Sequence, residues 1–470
     1  SGPSPLPNVN PVRYRLTLMA VDKAGPEAAT VNDVAVGSIR WQAAGRELVV
    51  NAYATPSGPA APVTLERHDE RFVVRSGQPG MVGPGSSDAG RGASPTPDTT
   101  IAWPRPGSEH PSLRVLRRAT GASPRFELDD STGRLSGAFP SLPAGTDLAA
   151  FDPSTLTAYF RETSRRGSRV HAATPGDTTT RLLLERNGFL AAVAEGTLRR
   201  IAYVTADGQP AVAWLLLPPG AMPGTRHPTV VWVYGGLVYG DEPPPYFVPL
   251  NSAGTFNLQV LAARGYAVLL PSIPLGPEGT PGDPLFAIPK AVLPAIDAAI
   301  ATGDVDDRRL AVMGHSFGGY AVYALVTQTT RFRAAIAMAG ASNLVSLYGQ
   351  FDPRSRHLAT ARDRLLAMVF AESGQYRMGG PLTEHPDRYF RNSPIAHVRQ
   401  VTTPTLIVQG DLDYVPIQQG EEFFTALYRR GVPSEFVRYW GEGHTIESPP
   451  NILDLWARVF DWLDTHLPPR

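Results

Sequence analysis

The sequence predicts two parts, an all-β region over residues 1–196 and a doubly wound, mostly parallel α/β sheet over residues 197–470. Three observations carry this. Up to about residue 196, short stretches of alternating polarity are split by turn residues. From about Arg199, apolar strand-length runs alternate with helical stretches. Glycine and proline, 45 and 47 of 470 residues, are about a fifth of the chain against an average of about 12%, which points to many turns and short strands. The 43 basic residues balance 43 acidic ones, so the charge favours no polyanionic partner such as a nucleic acid. With 42% hydrophobic and 18% charged residues the chain has ample material for sizeable cores.

In the first part the strands expected are Tyr14–Met19, Gly37–Trp41, Glu47–Ala52, Thr157–Phe160 and Arg169–Ala173. The pairs around Arg40 and Val49, and around Ala150 and Ala158, repeat one design of strand, tight polar turn and strand, as propeller blades do. Between about Gly77 and Gly107 the composition shifts to Gly, Pro, Ser and Asp, too polar to order itself as a core element, so a long flexible loop is expected there.

In the second part the expected strands are Ile201–Thr205, Ala211–Leu217, Thr229–Tyr234, Tyr266–Leu270, Arg309–Met313, Ala334–Met338, Thr405–Gln409 and Glu435–Tyr439. Helices are expected at Ala287–Ala301, Gly319–Thr327, Gln418–Arg430 and Ile452–His466, the last with a broad apolar stripe through Leu455, Trp456, Val459 and Leu463. No uninterrupted apolar run reaches the roughly 18 to 20 residues of a membrane helix, so a soluble protein without a membrane partner is expected. Zero cysteines remove disulfides, thiolate metal sites and a thiol nucleophile. No histidine spacing suggests a metal, and no cofactor is expected. The first residues, Ser1-Gly2-Pro3-Ser4-Pro5, carry neither an initiator Met nor an apolar signal core, so a processed or truncated amino end is expected, and with processing a periplasmic or secreted location is favoured over a cytoplasmic one.

The sharpest chemical signal is Gly314-His315-Ser316-Phe317-Gly318-Gly319, between the apolar run Arg309–Met313 and the helical Tyr320–Leu325. Strand, sharp turn and helix lift a serine hydroxyl clear of a sheet, and glycines two before and two after remove side chains that would collide. The helix amino end also favours a developing oxyanion. A serine hydroxyl needs a base, and the base an orienting acid. After the strand Thr405–Gln409, Asp411 and Asp413 stand at the carboxyl end, where ligand sites of open α/β sheets lie, and either can serve. After the next strand comes Gly441-Glu442-Gly443-His444, with His444 on a Gly-rich loop and the expected base. His315 adjoins the serine, but neighbours on a tight turn point apart, which makes it a packed structural histidine. His227, His357, His385, His397 and His466 sit beside Pro, Arg or helix ends and read as surface or capping groups. Glu442, and Asp411 if it is not the acid, read as loop acids with water for partners.

These three stretches, over roughly Arg199–Arg470, resemble the catalytic domain of the prolyl oligopeptidase family of serine peptidases. The dipeptidyl-aminopeptidase and acylaminoacyl-peptidase branch is the most similar. The resemblance implies an α/β-hydrolase domain behind an amino-terminal β-propeller, with Ser316 as nucleophile, Asp413 as acid and His444 as base. The family commonly has His-Gly-x-x-Asp-x-x-Val where this chain reads Gln409-Gly410-Asp411-Leu412-Asp413-Tyr414-Val415, with Gln for His and one residue fewer before Val415. The resemblance also implies an oxyanion hole from the Tyr234 hydroxyl, in Tyr234-Gly235-Gly236, and the Phe317 N–H, with Tyr239 as the alternative tyrosine. It places the pocket for the residue before the scissile bond along Ala341, Leu344 and Leu347, with Val415 near by. That pocket would be apolar, without the aromatic box of a strict proline selector, and Leu344 and Leu347 read equally well as core.

A propeller of seven or eight blades needs roughly 300 residues, whereas 196 supply about four. An open ring leaves unpaired strand edges, so a second polypeptide, a homo-oligomer contact or further residues are expected at that edge. The function implied is hydrolysis of short peptides through an acyl-enzyme, as an oligopeptidase, dipeptidyl or acylaminoacyl peptidase accepting an apolar residue before the scissile bond. Two rivals are a carboxylesterase with the same triad and a non-catalytic propeller binding protein with a relict hydrolase domain. Relative rates on peptides and esters separate the first, and fluorophosphonate labelling the second.

Overall fold

The structure, a computed structural model, describes six strands between residues 14 and 103 and, from residue 110, the chain apart from 111, 121–122, 131–135, 165–166, 245, 252–253, 352–365 and 468–470. Strands β1 (Tyr14–Met19), β2 (Ala28–Gln42), β3 (Glu47–Tyr53), β4 (Ala60–His68) and β5 (Arg71–Ser76) pair in sequence order into an antiparallel sheet. A second sheet takes β6 (Thr99–Trp103), β7 (Leu113–Thr120), β8 (Ser123–Asp130) and β9 (Ser136–Ala138), and a third β10 (Thr146–Asp152), β11 (Thr157–Ser164), β12 (Gly167–Ala173) and β13 (Arg181–Arg186). Three meanders thus stand where about four blades are expected, and no closed ring of blades is established among the described residues. β6 falls inside the stretch expected to be loop, because Thr99–Trp103 is a β-branched and aromatic run that pairs with β7; residues 77–98 lie outside the described residues.

In β8 the period of two is plain. Pro124, Phe126, Leu128 and Asp130 are buried while Glu127 and Asp129 turn out to Arg118 and Arg114. Phe126 meets Phe160 of β11 with ring centroids 5.0 Å apart, so the second and third sheets share one apolar cluster. Asn251 ties the third sheet to the second part, donating to the Ser164 carbonyl and the Ser168 hydroxyl and accepting from Asn187.

The remaining elements are β14 (Thr197–Val204), β15 (Pro210–Leu217), β16 (His227–Trp232), α1 (Gln259–Ala263), β17 (Ala267–Pro271), α2 (Pro284–Ala301), β18 (Val305–His315), α3 (Phe317–Val326), β19 (Ala334–Met338), α4 (Leu344–Tyr348), α5 (Leu366–Glu372), α6 (Pro386–Arg391), β20 (Thr405–Gly410), α7 (Gln418–Arg429), β21 (Ser434–Tyr439) and α8 (Pro449–His466). Their eight-stranded sheet has the order β14-β15-β17-β16-β18-β19-β20-β21. The first three are antiparallel neighbours, and from β17 to β21 every pairing is parallel. Alternate residues go to opposite faces. Leu215, Val231, Leu269, Val312 and Ile407 pack under α2, α3 and α7, whereas Leu216, Val230, Val268, Met313 and Val408 pack under α1 and α8. Burial on both faces explains why these strands read as continuous apolar runs.

Helix α2 has 18 residues and mean hydropathy 1.5, long and apolar enough to cross a bilayer, although its sequence shows no unbroken apolar run because Lys290 and Asp297 interrupt it. Its buried residues, among them Leu285, Ile288, Val292 and Ile296, instead pack in the core beside α3.

Candidate active site

Four loops converge at the carboxyl ends of the parallel strands. Ser316 follows β18 directly, with φ 61° and ψ −122°, and α3 starts at the next residue. This strained conformation is held by the Ser316 N–H donating to the Met338 carbonyl at 2.9 Å. The flanking glycines leave no choice. A Cβ on Gly314 would stand 2.6 Å from the carbonyl carbon of Gly318 and 2.8 Å from the Val233 oxygen, and one on Gly318 would overlap that same oxygen.

Asp413 sits in the loop after β20, fully buried. Its Oδ1 accepts from the Val415 N–H at 2.8 Å and from His444 Nδ1 at 2.7 Å. On its other side His444 presents Nε2 to the Ser316 hydroxyl at 2.7 Å. Ser316, His444 and Asp413 therefore form one continuous hydrogen-bonded line. Asp411 is not in it: its Oδ1 accepts from the Gly441 N–H at 2.7 Å and fastens the loop that leads to His444.

Glu442 departs from the expectation of a water-bound acid. Buried beneath that loop, its carboxylate accepts from the N–H groups of Glu447 and Ser448 and from the Asn451 side chain. Burial raises its pKa, but those donors outweigh burial and hold it below the ordinary carboxylate value. Gln409, at the position where the resembling family has His, is buried and donates to the carbonyls of Val415 and Pro416. It braces the turn just beyond Asp413.

Tyr234 follows β16 and packs edge-on against Phe317, with centroids 6.2 Å apart. Its hydroxyl accepts from Gln375 Nε2 at 3.3 Å, and it lines the same cavity as Ser316 and His444. Tyr239 does not line it. That ring packs against the opposite apolar cluster, and burial pushes its phenol up to about 12.

The cavity has a volume of about 560 Å³. Val415 lines it, but Ala341, Leu344 and Leu347 do not: all three are buried in the core. The reason is local. Asn343 caps α4, accepting from the N–H groups of Val345 and Ser346, while Gln419 takes the N–H groups of Ser342 and Asn343. This turns the apolar side of α4 inward. The expectation of a pocket without an aromatic box also needs correction, because the walls include Phe247, Phe256, Phe370, Tyr376 and Tyr414. These rings come from four separate segments and make no local pattern. Tyr376, buried against Phe317 and Tyr320, has its phenol pushed well above the ordinary value by burial.

Of the other histidines, His385 precedes α6, His466 ends α8, and His397 donates to the Arg391 carbonyl; His357 lies outside the described residues. No cluster of three or more metal-ligating side chains occurs among the described residues.

Comparison with known proteins places the chain. Residues 290–469 match the sequence profile of the prolyl oligopeptidase family. The chain is 31% identical over 281 residues to dipeptidyl-peptidase 5 of Porphyromonas gingivalis, covering 56% of this chain and 37% of that one. It is 28% identical over 256 residues to acylamino-acid-releasing enzyme 2 of Oryza sativa subsp. japonica, covering 52% and 31%. The chain thus spans less than half the length of these curated relatives. A puromycin-hydrolyzing peptidase of Mycobacterium tuberculosis superposes with TM-score 0.54 at 17% identity, covering 99% of this chain and 81% of that one, a likeness of fold. Residues 290–469 thus carry a prolyl oligopeptidase family domain, similar in sequence to those of the dipeptidyl and acylamino-acid-releasing peptidases.

Proposed function

We propose that the chain hydrolyses short peptides through an acyl-enzyme on Ser316. The carrying observation is the unbroken line from the Ser316 hydroxyl to His444 to Asp413, each step 2.7 Å, opening on an aromatic-walled cavity. Ser316 Oγ attacks the scissile carbonyl carbon while His444 Nε2 takes the hydroxyl proton. Asp413 keeps Nδ1 protonated and stabilises the imidazolium. The negative oxygen is received by the Tyr234 hydroxyl and the Phe317 N–H, the latter in the first turn of α3, where N–H groups lack intrahelical acceptors. His444 then returns the proton to the departing amine, the C–N bond breaks, and water repeats the cycle on the ester.

Among the described residues the cavity lining includes no Asp, Glu, Lys or Arg, which supports an apolar or aromatic side chain before the scissile bond. The related dipeptidyl and acylamino-acid-releasing enzymes make peptides with a free or acylated amino end the first substrates to try.

The test is a mixed peptide library with Ser316→Ala alongside. The expected outcome is cleavage after apolar or aromatic residues and loss of about 10⁴-fold or more in kcat for the variant. Turnover of simple esters without any peptide cleavage would instead favour a carboxylesterase.

A further inference from the structure

His315 stands next to the nucleophile yet takes no part in the chemistry proposed above. It is half-buried at the cavity wall, and its Nε2 lies 2.6 Å from the carbonyl oxygen of His444. A carbonyl can only accept, so Nε2 carries the proton and donates. The His315 ring packs 4.4 Å from Phe256 and 4.6 Å from the His444 imidazole, whose other neighbour is Tyr414 at 4.1 Å. The base is thus held between two rings while its own backbone is tied to the residue preceding the serine.

We infer that His315 is a positioning residue: its Nε2–H bond to the His444 carbonyl makes one turn, the end of β18, set the place of both nucleophile and base. The inference rests on the triad reading above. The separation of Ser316 and His444 is then fixed through two adjacent residues, 315 and 316. Burial, helped by the nearby His444, pushes the His315 pKa down to about 3. It therefore stays neutral and adds no positive charge to oppose the imidazolium that forms beside it.

Three variants test this. His315→Phe keeps a ring and removes the donor. His315→Gln restores an N–H at similar reach. His315→Met, also without the donor, replaces the Phe variant should that one not fold. The readouts are the rate of fluorophosphonate labelling, kcat and KM separately, and thermal unfolding. The donor-less variant is expected to lose roughly 10- to 100-fold in labelling rate and kcat with KM changed by less than about 2-fold, and the Gln variant to recover to within about 3-fold. A folded donor-less variant that labels at the wild-type rate would overturn the inference, as would a Gln variant no faster than it. His444→Ala is run in parallel. If labelling survives that change the triad reading itself fails, whereas loss of labelling there with no effect at position 315 sinks only the positioning role.

Discussion

The turn carrying Ser316 and the loop carrying His444 meet at 2.7 Å but are built by opposite means. The serine turn is held by shape. A positive φ, glycines with backbone where a Cβ would be, the buried second half of β18 and a fully buried α3 leave it one conformation. The histidine loop is held by polar bonds, with Asp411 on Gly441, Glu442 on Glu447, Ser448 and Asn451, and His315 on the His444 carbonyl. Shape resists pH and tolerates no added atom. Hydrogen bonds tolerate small changes of volume but depend on protonation.

That contrast can be broken at several points. The largest effect is expected from Gly318→Ala, whose methyl would overlap the Val233 carbonyl, a backbone atom with no freedom to yield. A loss of more than about 4 kcal/mol, or failure to fold, is expected in denaturant unfolding; a variant as stable as the parent would show that the turn is not held by shape.

Leu344→Ala and Phe370→Ala separate core from cavity wall. The first should cost about 2–5 kcal/mol of stability with little change in residue preference. The second should leave stability nearer the parent's and raise KM for substrates with an apolar residue before the scissile bond. The reverse pattern would return Leu344 to the pocket.

A smaller effect is expected from Glu442→Gln. One charged acceptor serving three donors is replaced by a neutral amide, so about 1–3 kcal/mol should be lost near neutral pH. The folded pKa of Glu442 is depressed, so its stabilisation is present above the unfolded-state value and disappears as pH falls through the folded one. The difference between parent and variant should therefore shrink on acidification, which a melting series from neutral to acidic pH would read directly. A constant difference would mean that the loop is held by packing rather than by the carboxylate.

The serine turn could be read from sequence because strand, turn and helix are contiguous and each has its own local pattern. The sheet was readable for a similar reason. Ala334–Met338 and Thr405–Gln409 are apolar runs of strand length, and in the structure the first is β19 unchanged and the second β20 one residue longer. The short helices α1, α4, α5 and α6 have five to seven residues, too few for a helical period to show. The cavity wall was hidden for a different reason, since Phe256, the pair Phe370 and Tyr376, and Tyr414 come from stretches far apart in sequence and in different local contexts.

The amino-acid sequence alone therefore determined the alternation of strands and helices, the serine turn and the histidine after the last strand, because hydrophobic period and backbone sterics act over neighbouring residues. Only the tertiary structure decided which of Asp411 and Asp413 faces the imidazole, that Leu344 and Leu347 turn into the core while Phe370 and Tyr376 line the cavity, and that His315 bonds to the His444 carbonyl. Those outcomes depend on hydrogen bonds and packing between residues up to about 130 positions apart, distances over which a linear pattern carries no geometry.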